Sequence, residues 1–265
     1  DHILPLDFLN INQFLTATVA FIRIGAIMFT IPFFGETSVP LKIKILLSIA
    51  ISMTIVPMLP TDWADNLSLS AIPIGYIIVK ELILGLIIGF TAKLTFEGLL
   101  LASSMVSYQM GFGVSNLIAP GSEFQLDAFS SLHRTLVLLL FLSLNLHHLF
   151  FSAIIDTFKY IPPGSMWLNP EIGTHLINVT GNIFSTGVKL ASPVVVALMF
   201  TTAGLGLVAR AVPQMNIFAM SFPVSFMIGL VVYLASTPFL PAWLRDHHFK
   251  STAAVFQSIK HMAPL

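Results

Sequence analysis

From Gly98 to Ser122 the chain carries no charge, yet this stretch cannot be one membrane helix. Gly111 and Gly113 loosen the backbone, and Pro120-Gly121 is a turn dipeptide. Between them, Ser115 and Asn116 prefer local backbone bonding to a place inside a helix. Irregular backbone at membrane depth is tolerated only where protein or a water-filled cavity surrounds it. The stretch is therefore either an apolar surface loop or a loop that fills or lines a passage, flanked by two long helices.

The membrane context follows from charge. Only 9% of the 265 residues are charged and 56% are hydrophobic, against about 25% charged in a soluble domain. The formal net charge is zero, so nothing points to nucleic acid or an acidic substrate. With no cysteine there is no thiol catalysis and no thiolate metal site. The opening DHILPLDFLN has no basic segment ahead of an apolar one, so a cleavable signal peptide is not expected there.

Apolar segments are expected at 8–34 and 41–59, followed by a polar connector at 61–66. Residues 72–110 read as one very long helix or two stacked ones, and contain Gly85-Leu-Ile-Ile-Gly89, a spacing that lets helix backbones approach closely. After the loop at 111–125, a helix is expected over 126–160, stopping at Pro162-Pro163-Gly164. Another covers 172–211 with a bend at Pro193, and a last apolar segment, 216–244, is broken by Pro223 and Gly229. The tail, 245–265, is polar enough to lie outside a bilayer. The fold expected is all-α: polytopic, membrane-type helical hairpins with long, broken helices and an irregular central loop, in one domain, 1–265.

Lys80, Glu81, Lys93 and Glu97 fall around the 72–110 helix, with Lys93 and Glu97 one turn apart. Arg23, Arg134, Lys189 and Arg210 lie in other apolar segments. A lone charge at the bilayer centre costs on the order of 3 kcal/mol. Such helices therefore face other subunits, face water, or pair their charges inside a bundle. Acidic ends at Asp1 and Asp7, basic Lys42 and Lys44, then Asp62 and Asp65 fit a first hairpin with its tip in the cytoplasm.

No residue set carries catalysis. His147 and His148 point about 100° apart on a helix, which suits capping better than a shared metal. Asp127, His133 and Arg134 fit an acid/base cluster or a polar helix face. There is no G-x-S-x-G elbow and no phosphate-binding G-x-x-x-x-G-K-[ST]. Met105 and Met110, beside Tyr108, Gln109 and Phe112, would either seal an opening around objects of varying shape or pack a core. In 209–223, Arg210, Gln214 and Asn216 bring polar groups to a break at Pro213, as an anchor for a neighbour or as a plain loop between two spans.

Phe96-Glu97-Gly98, YQMGFG at 108–113, Pro120-Gly121, LFLSLNLHH at 140–148 and RAVPQMNIFAMSFP at 210–223 together resemble the FliR family, in order and over nearly the whole chain. One departure is Leu146, where the flagellar pattern more often has Gly. The resemblance implies a structural subunit, not an enzyme and without cofactor, of the flagellar type III export gate in the bacterial inner membrane at the basal body. It implies FliP-like and FliQ-like membrane partners, an FlhB-like export component and unfolded flagellar proteins as cargo. It maps a plug onto Met105, Tyr108, Gln109, Met110, Gly111, Phe112, Gly113, Val114, Ser115, Asn116 and Pro120. Subunit contacts are expected at Lys93, Glu97, Arg210, Pro213, Gln214, Asn216, Phe222 and Pro223. The competing reading is a self-contained solute or ion transporter using Lys80, Glu81, Lys93 and Glu97 as a relay. The internal repeats and paired broken helices of such carriers are missing from the sequence.

Overall fold

Helix α1 (Ile11–Thr30) and the first half of α3 (Ala71–Gln109) meet backbone to backbone where the Gly85/Gly89 spacing foresees it. In the computed structural model a Cβ on Gly85 would lie 2.6 Å from both the Ala26 Cβ and the Arg23 carbonyl oxygen. One on Gly89 would collide with the Thr30 side chain and sit 3.0 Å from the Ile27 carbonyl oxygen. Overpacking typically costs about 1–3 kcal/mol, and here the obstacle includes backbone, which cannot swing aside. Gly89→Leu is therefore expected to lower the thermal unfolding midpoint by several degrees. An unchanged midpoint would show that the helices part without loss.

The structure describes residues 11–31, 34–35, 39–65, 70–112, 128–145, 147–214 and 216–264. Among these residues there is helix and no strand. The remaining helices are α2 (Leu41–Ile55), α4 (Ala128–Ser143), α5 (His147–Tyr160), α6 (Glu171–Ala211), α7 (Ile217–Ser236) and α8 (Leu240–Met262). Among the described residues, five helical stretches are long and apolar enough to cross a membrane: Ile11–Thr30, Leu41–Met58, Ala71–Gln109, Glu171–Ala211 and Ala219–Asp246. This is an all-α membrane protein. Helices α3 and α6, 39 and 41 residues long, have contour lengths near 60 Å at about 1.5 Å per residue, twice a bilayer's hydrocarbon core.

Contacts gather into two units. The first comprises Asp1–Leu94, His147–Val179 and Phe249–Leu265, the second Thr95–Leu146 and Thr180–His248.

The first unit is organised around a buried ion pair. Arg23 and Glu81 are both fully buried. Arg23 Nε donates to Glu81 Oε2 at 2.5 Å, and its two terminal nitrogens donate to Glu81 Oε1 at 3.0 Å and to the carbonyls of Thr157 and Ile161 at 3.2 and 2.8 Å. Ile161 lies just past the C-terminus of α5, where backbone acceptors run out of helical partners, while the Thr157 carbonyl also accepts from Ile161 N–H at 2.9 Å. Gly164 N–H donates to Glu81 Oε1 at 2.8 Å, and the guanidinium lies 4.2 Å from the Phe158 ring centre. Of the options for charges in apolar helices, this pair takes internal pairing. The tail proves helical and packed: Val255, Ile259 and Met262 are buried, and Ser258 meets Thr91 at 3.1 Å.

In the second unit α3 and α6 approach at Gly98 and Gly187. A Cβ on Gly98 would meet the Thr186 Cγ2 at 2.9 Å, and one on Gly187 the Gly98 carbonyl oxygen at 3.2 Å. Phe96 is buried edge-on against Phe141, with centroids 6.1 Å apart. The Phe96-Glu97-Gly98 motif thus supplies a packing ring and a crossing point.

Two expectations about the helices are corrected. The helix expected over 126–160 is two, α4 ending at Ser143 and α5 starting at His147. Asn145 takes a left-handed φ of 56°, which Asn tolerates better than most residues and which ends the helix. The expected break at Pro223 and Gly229 is absent, because α7 runs through both. The helix tightens instead into a 3₁₀ segment, Thr237–Phe239, at Pro238, with helical backbone continuing directly into α8. Helix α6 spans Glu171–Ala211 with Pro193 inside it, close to the single helix expected over 172–211.

Candidate functional site at the root of the central loop

Helix α3 ends in a Schellman cap. Phe112 N–H donates to the Ser107 carbonyl at 3.2 Å and Gly111 N–H to that of Tyr108 at 3.1 Å, the paired bonds that satisfy a helix's last acceptors. The motif needs a positive φ one residue past the cap, and Gly111 provides 101°. The glycine that reads as loosening the backbone therefore fixes where the helix stops and how the chain departs.

The cap is held from one side by α7. Phe112 lies edge-on to Phe222 and Phe226, with centroids 5.8 Å away in each case, and those two rings stack on each other at 6.3 Å. A Cβ on Gly111 would reach Phe222 Cδ2 at 3.0 Å. Met110 is fully buried, in a core with Val106, Phe129, Val194, Leu198 and Tyr233. Its Cε and Cγ fill the space over Gly229, where a Cβ would stand 2.7 and 2.8 Å from them. Gly229 reads in the sequence as a helix breaker, but its role here is to make room for Met110.

The plug residues thus divide. Met110 packs the core, Gly111 and Phe112 form the capped root, and Met105 and Gln109 are half-buried. Tyr108 stands 74% exposed. Gly113, Val114, Ser115, Asn116 and Pro120 lie outside the described residues, as does Asp127. Phe226 and Gly229 were missed by sequence reasoning. The signal for Phe226 was its position one turn after Phe222, which sets both rings on one helix face.

The 210–216 block is the turn between α6 and α7. Asn216 caps α7, its side-chain oxygen accepting from Ala219 N–H at 3.2 Å. Arg210 occupies the last turn of α6, where a cation complements the helix dipole. Arg210, Pro213 and Gln214 are exposed, as are Phe222 and Pro223. Lys93 is exposed and Glu97 half-buried. His133 turns inward rather than lining a polar face, with Nδ1 2.8 Å from Tyr233 Oη. Among the described residues no group of three His, Cys, Asp or Glu side chains could hold a metal ion.

A long apolar helix with a fixed end, leading into an uncharged segment, marks a membrane protein. The chain belongs to the family of bacterial export proteins, family 1, which it matches over residues 14–250, in keeping with the FliR resemblance of its motifs. It is 29% identical to the flagellar biosynthetic protein FliR of Escherichia coli K12, over 92% of each chain. Against FliR of Bacillus subtilis it is 30% identical over 84% of this chain and 86% of the relative. Against that of Aquifex aeolicus it is 28% identical over 95% and 96%.

Proposed function

We propose that the chain is a pore subunit of the flagellar type III protein export gate. It assembles with FliP-like and FliQ-like subunits, beside an FlhB-like export component, in the inner membrane at the flagellar basal body. Together they form a channel for unfolded flagellar proteins. Its role is structural rather than catalytic. The observation that carries this reading is the capped end of α3. Gly111 and Phe112 hold the start of an uncharged, glycine-containing loop at a defined point, as a closing element of a channel requires. The transporter alternative draws no support from Glu81, whose carboxylate is engaged by Arg23 and by Gly164 N–H.

The test is assembly. Purified in mild detergent from cells that make the whole apparatus, the chain is expected to bring FliP-like and FliQ-like subunits with it. Made alone, it should aggregate or be degraded, because so many apolar side chains, such as Phe200 and Leu207 at 75% and 72% exposure, stand uncovered. A monodisperse, protease-resistant monomer would argue strongly against the reading.

Arg210 offers a finer test, as an exposed cation at the α6–α7 turn. Losing a charged hydrogen bond to a neighbour typically costs about 1.5–3 kcal/mol, roughly ten- to a hundredfold in affinity. Arg210→Ala should therefore reduce the yield of complex far more than the membrane level of this chain. Normal complex yield would remove the anchoring role.

A further inference from the structure

A cavity of about 260 Å³ opens in the second unit, below the capped end of α3. Its buried floor is made by Val106, Phe129, Ala191, Val194 and Tyr233. His133 and Ser103 also line it; His133 Nδ1 lies 2.8 Å from Tyr233 Oη, while its Nε2 is buried without a hydrogen-bond partner among the described residues. The rim is different: Lys189 is exposed, and Ser236, Thr237 and Trp243 are half-buried. Polar groups and one cation thus surround the mouth of an apolar hole. The rim includes the 3₁₀ segment Thr237–Phe239 between α7 and α8.

We infer that this cavity holds one acyl tail of an anionic phospholipid, with the lipid phosphate at Lys189. The floor is mainly apolar, with Ser103 and His133 as its buried polar members, and predominantly apolar cavities favour apolar guests over water. At about 30 Å³ per water-sized group, the volume holds roughly nine such groups, a length of one acyl chain and not of two. The protein lies among acyl chains, so the guest is at hand. The charge at the rim selects an anionic headgroup over a zwitterionic one, and Trp243 at the mouth suits the interfacial zone where indoles collect. Because Val106 both lines the cavity and packs beside Met110, a bound tail stiffens the seat of the α3 cap. The inference stands on the cavity alone and does not depend on the export reading.

The test uses the purified full chain with whatever subunits accompany it, stripped of lipid in detergent and titrated with phosphatidylglycerol or phosphatidylcholine. Native mass spectrometry reads the retained lipid. One phosphatidylglycerol per copy should survive that is absent from Ala191→Phe, which fills the floor. Lys189→Gln, an exposed change that leaves the core intact, should reduce the preference for phosphatidylglycerol over phosphatidylcholine about fivefold. Equal retention of the two lipids, retention of free fatty acid only, or an undiminished preference in Lys189→Gln overturns the inference. Should Ala191→Phe fail to fold, the Lys189→Gln comparison decides alone.

Discussion

Glu81→Ala is expected to destabilise the protein by about 3–5 kcal/mol, the range for removing one member of a buried ion pair. The size follows from what is left behind. Arg23 has no exposed surface, so its charge would remain in an apolar interior without its counterion. Gly164 N–H would lose its acceptor at the same time. Arg23→Met should be comparably damaging, because it strands the Glu81 carboxylate and removes the side-chain donor to the Ile161 carbonyl at the end of α5. The pair Arg23→Met/Glu81→Leu should cost clearly less than the sum of the single changes, since no unpaired charge then remains. Thermal unfolding of the purified complex measures all three. A loss under about 1 kcal/mol for Glu81→Ala would show that water reaches the site and that the pair does not organise its unit.

Why a membrane protein keeps such a pair is answered by its connections. Arg23 lies on α1, Glu81 on α3, and the Ile161 carbonyl it caps lies at the end of α5, while Gly164 follows the Pro162-Pro163 stop. One guanidinium with several directed donors fixes three helices and a turn in a single arrangement, which apolar contacts between smooth helices do not specify. Lysine, with one point charge, could not meet the same set of acceptors. The Gly85 and Gly89 crossing nearby supplies proximity, and the ion pair supplies register.

The sequence carried the local half of this structure. Gly85 and Gly89 announce a close crossing, and Pro162-Pro163-Gly164 announces a stop, because spacing and backbone chemistry act within a turn or two. The end of α3 near residue 110 was readable from Gly111 for the same reason. Partners far apart in the chain were not readable. Arg23 and Glu81 are 58 residues apart, and His133 and Tyr233 are 100 apart, and nothing local marks either pair. Breaks were misplaced where one residue does two jobs. Gly229 resembles a breaker but serves packing, and Pro223 is accommodated inside an apolar helix. The break at Asn145 was hidden because the apolar run LFLSL continues up to it without interruption.

Deleting Gly111–Asn116 in the assembled apparatus is expected to leave a channel that leaks ions. A protein-export channel must stay closed when idle and pass an extended chain when working. An apolar constriction can do the first by excluding water. Met105, Tyr108 and Phe112 give apolar bulk at the loop's root, and the contacts of Phe112 with Phe222 and Phe226 brace it. The deletion removes Gly111 and Phe112, so it destroys the Schellman cap and the bracing ring together. Replacing Gly111 and Gly113 by bulkier residues acts in the opposite direction. At Gly111 the positive φ strains any side chain by about 1–2 kcal/mol, and Phe222 stands in the way. The loop would keep its apolar bulk, and side chains at these positions would narrow the backbone conformations open to it, so export should slow while the membrane stays tight. Ion conductance and small-solute entry in cells carrying the whole complex measure leak, and secretion of flagellar proteins measures export. If the deletion leaves the membrane as tight as before, the loop is not the seal, and the cap at Gly111 serves only to end a helix.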